Sequence, residues 1–131
     1  MNKAIELHDS ILFSVNQKNG TAILHFDKAY VHQSEGKPGI DSGTGWLQSI
    51  DLEIAGTVIE SMPKDLPVDL DDGYLVVHST KTENFVDLPI NMHGDIELQF
   101  MTASGEELKL TGKHISSIEK SELEYVEDYN A

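Results

Sequence analysis

Around Asn19-Gly20, apolar and polar positions alternate on both sides of a dipeptide that readily takes the positive φ values of a two-residue type I′ turn, so the pattern predicts a β-hairpin. With Lys18 opposite Thr21, Val15 faces Leu24 and Phe13 faces Phe26 on one side, while Ser14 faces His25 and Leu12 faces Asp27 on the other. One mostly apolar side is what a half-buried antiparallel pair requires. A second hairpin surrounds Ser104-Gly105. A two-residue loop there would mix the faces, whereas a three-residue loop, Ala103 to Gly105, sets Phe100 opposite Leu108 and Leu98 opposite Leu110 and puts glycine at the left-handed position.

Between the hairpins, Trp46, Ile50, Leu52, Ile54 and Val58 occupy even positions of one long predicted strand, with Asp51 and Glu53 on its other side. Shorter strands are predicted over Tyr74 to Ser79 and Asn84 to Leu88, with further segments at Ile115 to Ile118 and Leu123 to Val126; no amphipathic helix of three turns is present. Asp65-Leu66-Pro67-Val68-Asp69-Leu70 recurs as Asp87-Leu88-Pro89-Ile90-Asn91-Met92, each copy running through a glycine turn into a strand. Proline cannot donate a ladder hydrogen bond, so both copies belong at strand starts or sheet edges. The expected fold is a single all-β domain over residues 1–131, an antiparallel β-sandwich of about seven to nine strands, with a partly open β-barrel as the alternative.

Composition narrows the partners. The 131 residues carry nine basic against 23 acidic side chains, a net charge of −14, and all nine basic residues are lysines. Without arginine or a basic face, nucleic-acid readout and anionic membranes are disfavoured. Basic proteins, cations and neutral small molecules remain. The chain has no cysteine, hence no disulfide, thiolate nucleophile or cysteine metal site. Met1 to Asp9 lacks a secretion-type apolar run, and the expected location is the cytoplasm. The segment 119–131 is acidic and reads as a flexible tail.

The most unusual stretch is Gln33 to Gly45, QSEGKPGIDSGTG, with four glycines ahead of the only tryptophan, Trp46. Long loops in compact domains are disproportionately functional, and the amides of this one would surround a ligand with Glu35, Asp41 and Thr44 as polar groups. It lacks the order of a phosphate loop. A surface crossover with Trp46 as a core anchor explains the same residues. Extending the first hairpin toward its open end brings Leu7 and Asp9 opposite His32 and Tyr30, so His8 and His32 would stand on neighbouring rungs. With Asp41 or Glu35 they would form a two-histidine, one-carboxylate set suited to a divalent metal such as zinc or iron; no cofactor is otherwise expected. The plainer account gives these histidines ordinary hydrogen bonds. Asp69 to Gly73 lacks the spacing of a helix-loop-helix calcium site and reads as an Asp-Gly turn. Neither GxSxG nor SxxK occurs, so no catalytic residue is assigned.

Glu6-Leu7-His8-Asp9-Ser10 before an apolar strand resembles the opening of several small bacterial β-rich families, some grouped with immunity proteins. The segment from Ala29-Tyr30-Val31-His32 through Pro38-Gly39, Asp41 and Gly43-Thr44-Gly45-Trp46, closing with Tyr125-Val126-Glu127, resembles an uncharacterised family. The resemblance implies a small bacterial cytosolic domain and transfers no activity. Two functions are expected: a non-enzymatic, immunity-like or regulatory module that binds a protein partner of basic character, or a ligand- or metal-binding domain, even a modest enzyme, built on His8, Asp9, His32, Glu35, Asp41, Thr44 and Trp46. A homodimer formed through exposed strand edges is a third expectation.

Overall fold

The computed structural model describes residues 1–131 as ten β-strands without a helix. They are β1 (Asn2–Lys18), β2 (Thr21–Ser34), β3 (Gly43–Ala55), β4 (Val58–Ser61), β5 (Val68–Val77), β6 (Thr80–Glu83), β7 (Phe85–Leu88), β8 (Asn91–Thr102), β9 (Glu107–Glu119) and β10 (Glu124–Tyr129). Pairing runs β3-β2-β1-β5-β8-β9, and β9 returns to β3 through the ladder from Ile50↔Glu119 to Ala55↔His114. A closed antiparallel barrel of six strands thus takes the place of the predicted sandwich, and the barrel alternative is the one that fits. The reason is the length of β1, β2, β3 and β9, which lets one continuous sheet curl and remove its own edges, where a sandwich keeps two sheets apart. The other four strands lie outside the ring: β4 on β9, β6 on β5, β7 on β1 and β10 on β3. No helix is long and apolar enough to cross a membrane.

The first hairpin keeps the predicted register near its turn, with Lys18↔Thr21, Val15↔Leu24 and Ser14↔His25, and Asn19 and Gly20 both take positive φ. Beyond it the ladder slips. Leu12 rather than Phe13 opposes Phe26, so Leu12 is fully buried while Phe13 is bulged outward and packs edge-on against His25. Packing chose the phase: Ile11, Leu12 and Phe13 are all apolar, and the side holding Leu12 faces Phe26 and Phe100, whose rings meet at 5.7 Å. A second irregularity lies between Glu6 and Ile11. There the Ser10 hydroxyl replaces ladder bonds, donating to the Glu6 carbonyl at 2.7 Å and accepting the Tyr30 N–H at 2.9 Å.

The second hairpin has the predicted three-residue loop, with Phe100↔Leu108, Leu98↔Leu110 and Gly105 at φ +86°. The long central strand is interrupted. Gly56 turns the chain at φ +66° after β3, so Val58 leaves the core and stands 62% exposed in β4. The first DLP copy runs directly into β5 and the second ends β7 just before β8, with Gly73 and Gly94 inside β5 and β8 instead of in turns ahead of them, and β5 and β8 pair with each other in one sheet instead of entering two. Asp72-Gly73 is not a turn: Gly73 lies buried within β5, where a Cβ would come 2.5 Å from the Gln99 carbonyl oxygen and 3.0 Å from a Leu7 methyl. The 119–131 segment, read as a tail, contains β10, which pairs with Gly43–Leu47 of β3.

Candidate functional site

The first halves of β1 and β3 and the second half of β2 continue outward as a five-strand patch, flanked by β7 on one side and β10 on the other. Glu6 stands opposite both Tyr30 and Phe85; His32 stands opposite Ala4 and Gly45; and Gly45 stands opposite Glu127. Opposed residues share a face of the sheet. The intervening residues Ile5, Val31 and Val86 turn the other way into the core. Register alone therefore gathers Glu6, Tyr30, His32, Phe85, Glu127 and Tyr129 on one surface.

His32 is the centre of this surface and is 4% exposed. Its Nε2 lies 2.6 Å from a Glu6 carboxylate oxygen, and its ring is flanked by Tyr30 at 5.0 Å, Tyr129 at 5.2 Å and Phe85 at 6.0 Å between centroids. Its Nδ1 is buried without a partner, a costly condition for a polar atom. The His32 hydrogen bond holds the Glu6 carboxyl below its ordinary value, against the opposing effect of burial. Next to the pair, the Tyr30 hydroxyl donates to a Glu127 carboxylate oxygen at 2.7 Å; burial, and then this bond, push the Tyr30 phenol well up. Gly45 makes room for it, because a Cβ would fall 2.1 Å from that hydroxyl. Together with Asp9 and Gly39 these residues line an open recess of roughly 340 Å³.

The Gln33–Gly45 loop reaches the recess only through Gly39, whose backbone at φ +80° lies against the Phe85 ring. Asp41 is spent inside the loop, where its Oδ2 accepts the Lys37 N–H at 2.7 Å. The Ser34 hydroxyl braces the same loop, accepting from the Gly36 N–H and donating to the Ser42 carbonyl. Glu35 is exposed. Thr44 and Trp46 share the opposite face of β3: the Thr44 hydroxyl accepts the Trp46 indole N–H at 2.8 Å, and Trp46 packs edge-on against Tyr125. Neither touches the recess.

His8 goes elsewhere. Its Nδ1 donates to the Asp71 carbonyl at 2.6 Å on the exposed seam between β1 and β5, and that bond, then Asp9, raises its pKa above the ordinary histidine value. In an NMR titration of the six imidazoles, His8 is expected to deprotonate above the ordinary histidine range, and Asp9→Asn to bring it down. The predicted His8, His32 and Asp41 metal set is thus not assembled, and no group of three His, Asp or Glu side chains stands together for a metal. The bulges at Phe13 and Ser10 are the physical cause, because they shift the pairing by three residues, putting Glu6 opposite Tyr30 where Asp9 was expected and Ile5 opposite Val31 where His8 was expected.

Of the residues expected from sequence, His32 and Asp9 are at the recess; Glu6, Tyr30, Phe85, Glu127 and Tyr129 were missed. Glu6 had a readable signal, a charged residue between the buried Ile5 and Leu7 on the face of Tyr30 and His32. Comparison with protein-family profiles, curated proteins and solved structures finds no significant match to the chain.

Proposed function

We propose that the protein is a non-enzymatic module that binds a basic protein partner, seating a lysine or arginine side chain of that partner in the His32 recess. The observation that carries this reading is the pairing of carboxylates with ring faces and no resident cation: Asp9 and Glu127 border the recess beside Tyr30, Phe85 and Tyr129, and no lysine lines it. Four of the lysines are instead paired elsewhere, with Glu119, Glu83, Asp95 and Asp51. Carboxylates and aromatic faces both attract a cation, more strongly where water is partly excluded. The net charge of −14 would steer a basic partner toward the surface and make its association salt-sensitive.

Calorimetric titration with a lysine- and arginine-containing peptide tests this. Affinity is expected to fall roughly tenfold between about 20 mM and about 200 mM salt and to drop again in the Asp9→Asn/Glu127→Gln double variant. Equal binding by that variant and the natural protein would contradict the recess as the site. A second reading, in which a small cationic molecule occupies the recess, is favoured by the unpartnered His32 Nδ1; saturation by methylguanidinium without peptide affinity would establish it instead.

A further inference from the structure

We propose a second site, sharing only Phe85 with the His32 recess: a binding cleft for a small apolar molecule carrying an amine or hydroxyl donor, at the place where the barrel wall splits between β1 and β5. These two strands pair only at Ile11↔Asp69 and Leu12↔Val68 and then diverge. On the far side of the split, β6 pairs with Tyr74–Val77 of β5 and β7 pairs with Lys3–Glu6 of β1. Asn84 joins them and pins the apex: its N–H donates to the Gly73 carbonyl, its carbonyl accepts the Leu7 N–H, and its side-chain oxygen accepts the His8 N–H. Away from Asn84, β6 and β7 have no partner on their facing sides, and a cleft of roughly 470 Å³ lies between them.

The core is open to solvent at this point. Leu75, Val77 and Ile90, which line the cleft, and Leu88, between two residues that line it, are 5–8% exposed, whereas every other residue of the core is at most 3% exposed. Thr82 and Thr80 oppose Leu75 and Val77, so their hydroxyls share the face of that apolar floor and form its polar lip. Asp87 borders the mouth. Small-molecule sites have this size and make-up, an apolar floor with a few polar groups that fix orientation. The Asp87 carboxylate only accepts and so selects a donor-bearing ligand, the threonine hydroxyls can pair with either sense, and Asp87 with the net charge of −14 disfavours an anion.

The test uses N-phenyl-1-naphthylamine, a neutral apolar amine that fluoresces in apolar surroundings. Saturable, one-to-one enhancement below about 100 µM is expected, with amide NMR shifts concentrated at Leu75, Val77, Val86 and Ile90. Thr82→Trp, a change at an exposed lip position, should weaken binding by about tenfold or more while leaving the circular dichroism and melting temperature in place. Glu127→Gln, which belongs to the His32 recess, should leave it unchanged, so the two sites stand or fall separately. Absence of saturable enhancement, equal binding by Thr82→Trp, or shifts confined to another surface would overturn the proposal. So would displacement of the probe only by extended peptides, since the cleft would then be a strand-docking site.

Discussion

Glu6→Ala is expected to lower the free energy of unfolding by about 3 kcal/mol, because it leaves the His32 imidazole buried with neither ring nitrogen bonded. Glu6→Met combined with His32→Phe, which removes both polar partners and keeps the volume, should stay within about 1 kcal/mol of the natural protein. Urea denaturation of the two singles and the double measures the coupling, and additive losses would show that the pair does not act as a unit. The pair also sets an acid limit. Glu6 has a lowered folded-state pKa, so its contribution is complete above the ordinary carboxyl value of 4.5 and is lost as pH falls through the folded value. Relative to Glu6→Gln, the natural protein should therefore lose stability as pH drops below that value, and parallel stability curves for the two would refute the linkage.

Gly73→Val should be strongly damaging, although no large core side chain is removed. A Cβ at this position meets the Gln99 carbonyl oxygen at 2.5 Å, Phe100 at 2.9 Å and Leu7 at 3.0 Å, and the first of these is backbone that no rotamer change can clear. The residue sits where β5 passes β8 and where Asn84 donates to its carbonyl, so the clash would push apart two neighbouring barrel strands next to the split. A loss of roughly 3 kcal/mol, or failure to fold, is expected, measured as a fall in melting temperature. Gly105→Ala is the contrast: nothing lies within 4 Å of its Cβ, and its cost should be limited to the positive φ, about 1 kcal/mol.

Turn chemistry and period two were sufficient for the local pairings. Asn19-Gly20 and Gly105 each require a left-handed conformation, and together with the alternation around them they fix both hairpin registers near the turns. Three consecutive apolar residues, Ile11 to Phe13, made either phase of β1 acceptable; only the contact with Phe26 and Phe100 resolves it, and that contact joins distant parts of the chain. Barrel closure was hidden for the same reason. The β3–β9 ladder leaves no mark in either strand's own pattern, since both read as ordinary half-buried strands. His32 and Asp9 were legible as chemistry in the right half of β1 and β2. Phe85, Glu127 and Tyr129 come from β7 and β10, short outer strands whose placement beside β1 and β3 depends on the bulges and on Gly43 and Gly45. The loop residues Asp41, Thr44 and Trp46 looked like ligand groups because of their surroundings, yet each is satisfied by a neighbour within four residues.

Recognition of a cationic side chain at the His32 recess is tested most directly by two-dimensional amide NMR of the natural protein during titration with the basic peptide. The expected result is saturable shifts at Glu6, Tyr30, His32, Gly45 and Glu127 that disappear in the Asp9→Asn/Glu127→Gln variant. Shifts scattered over the acidic surface, unsaturated and unaffected by that variant, would contradict it.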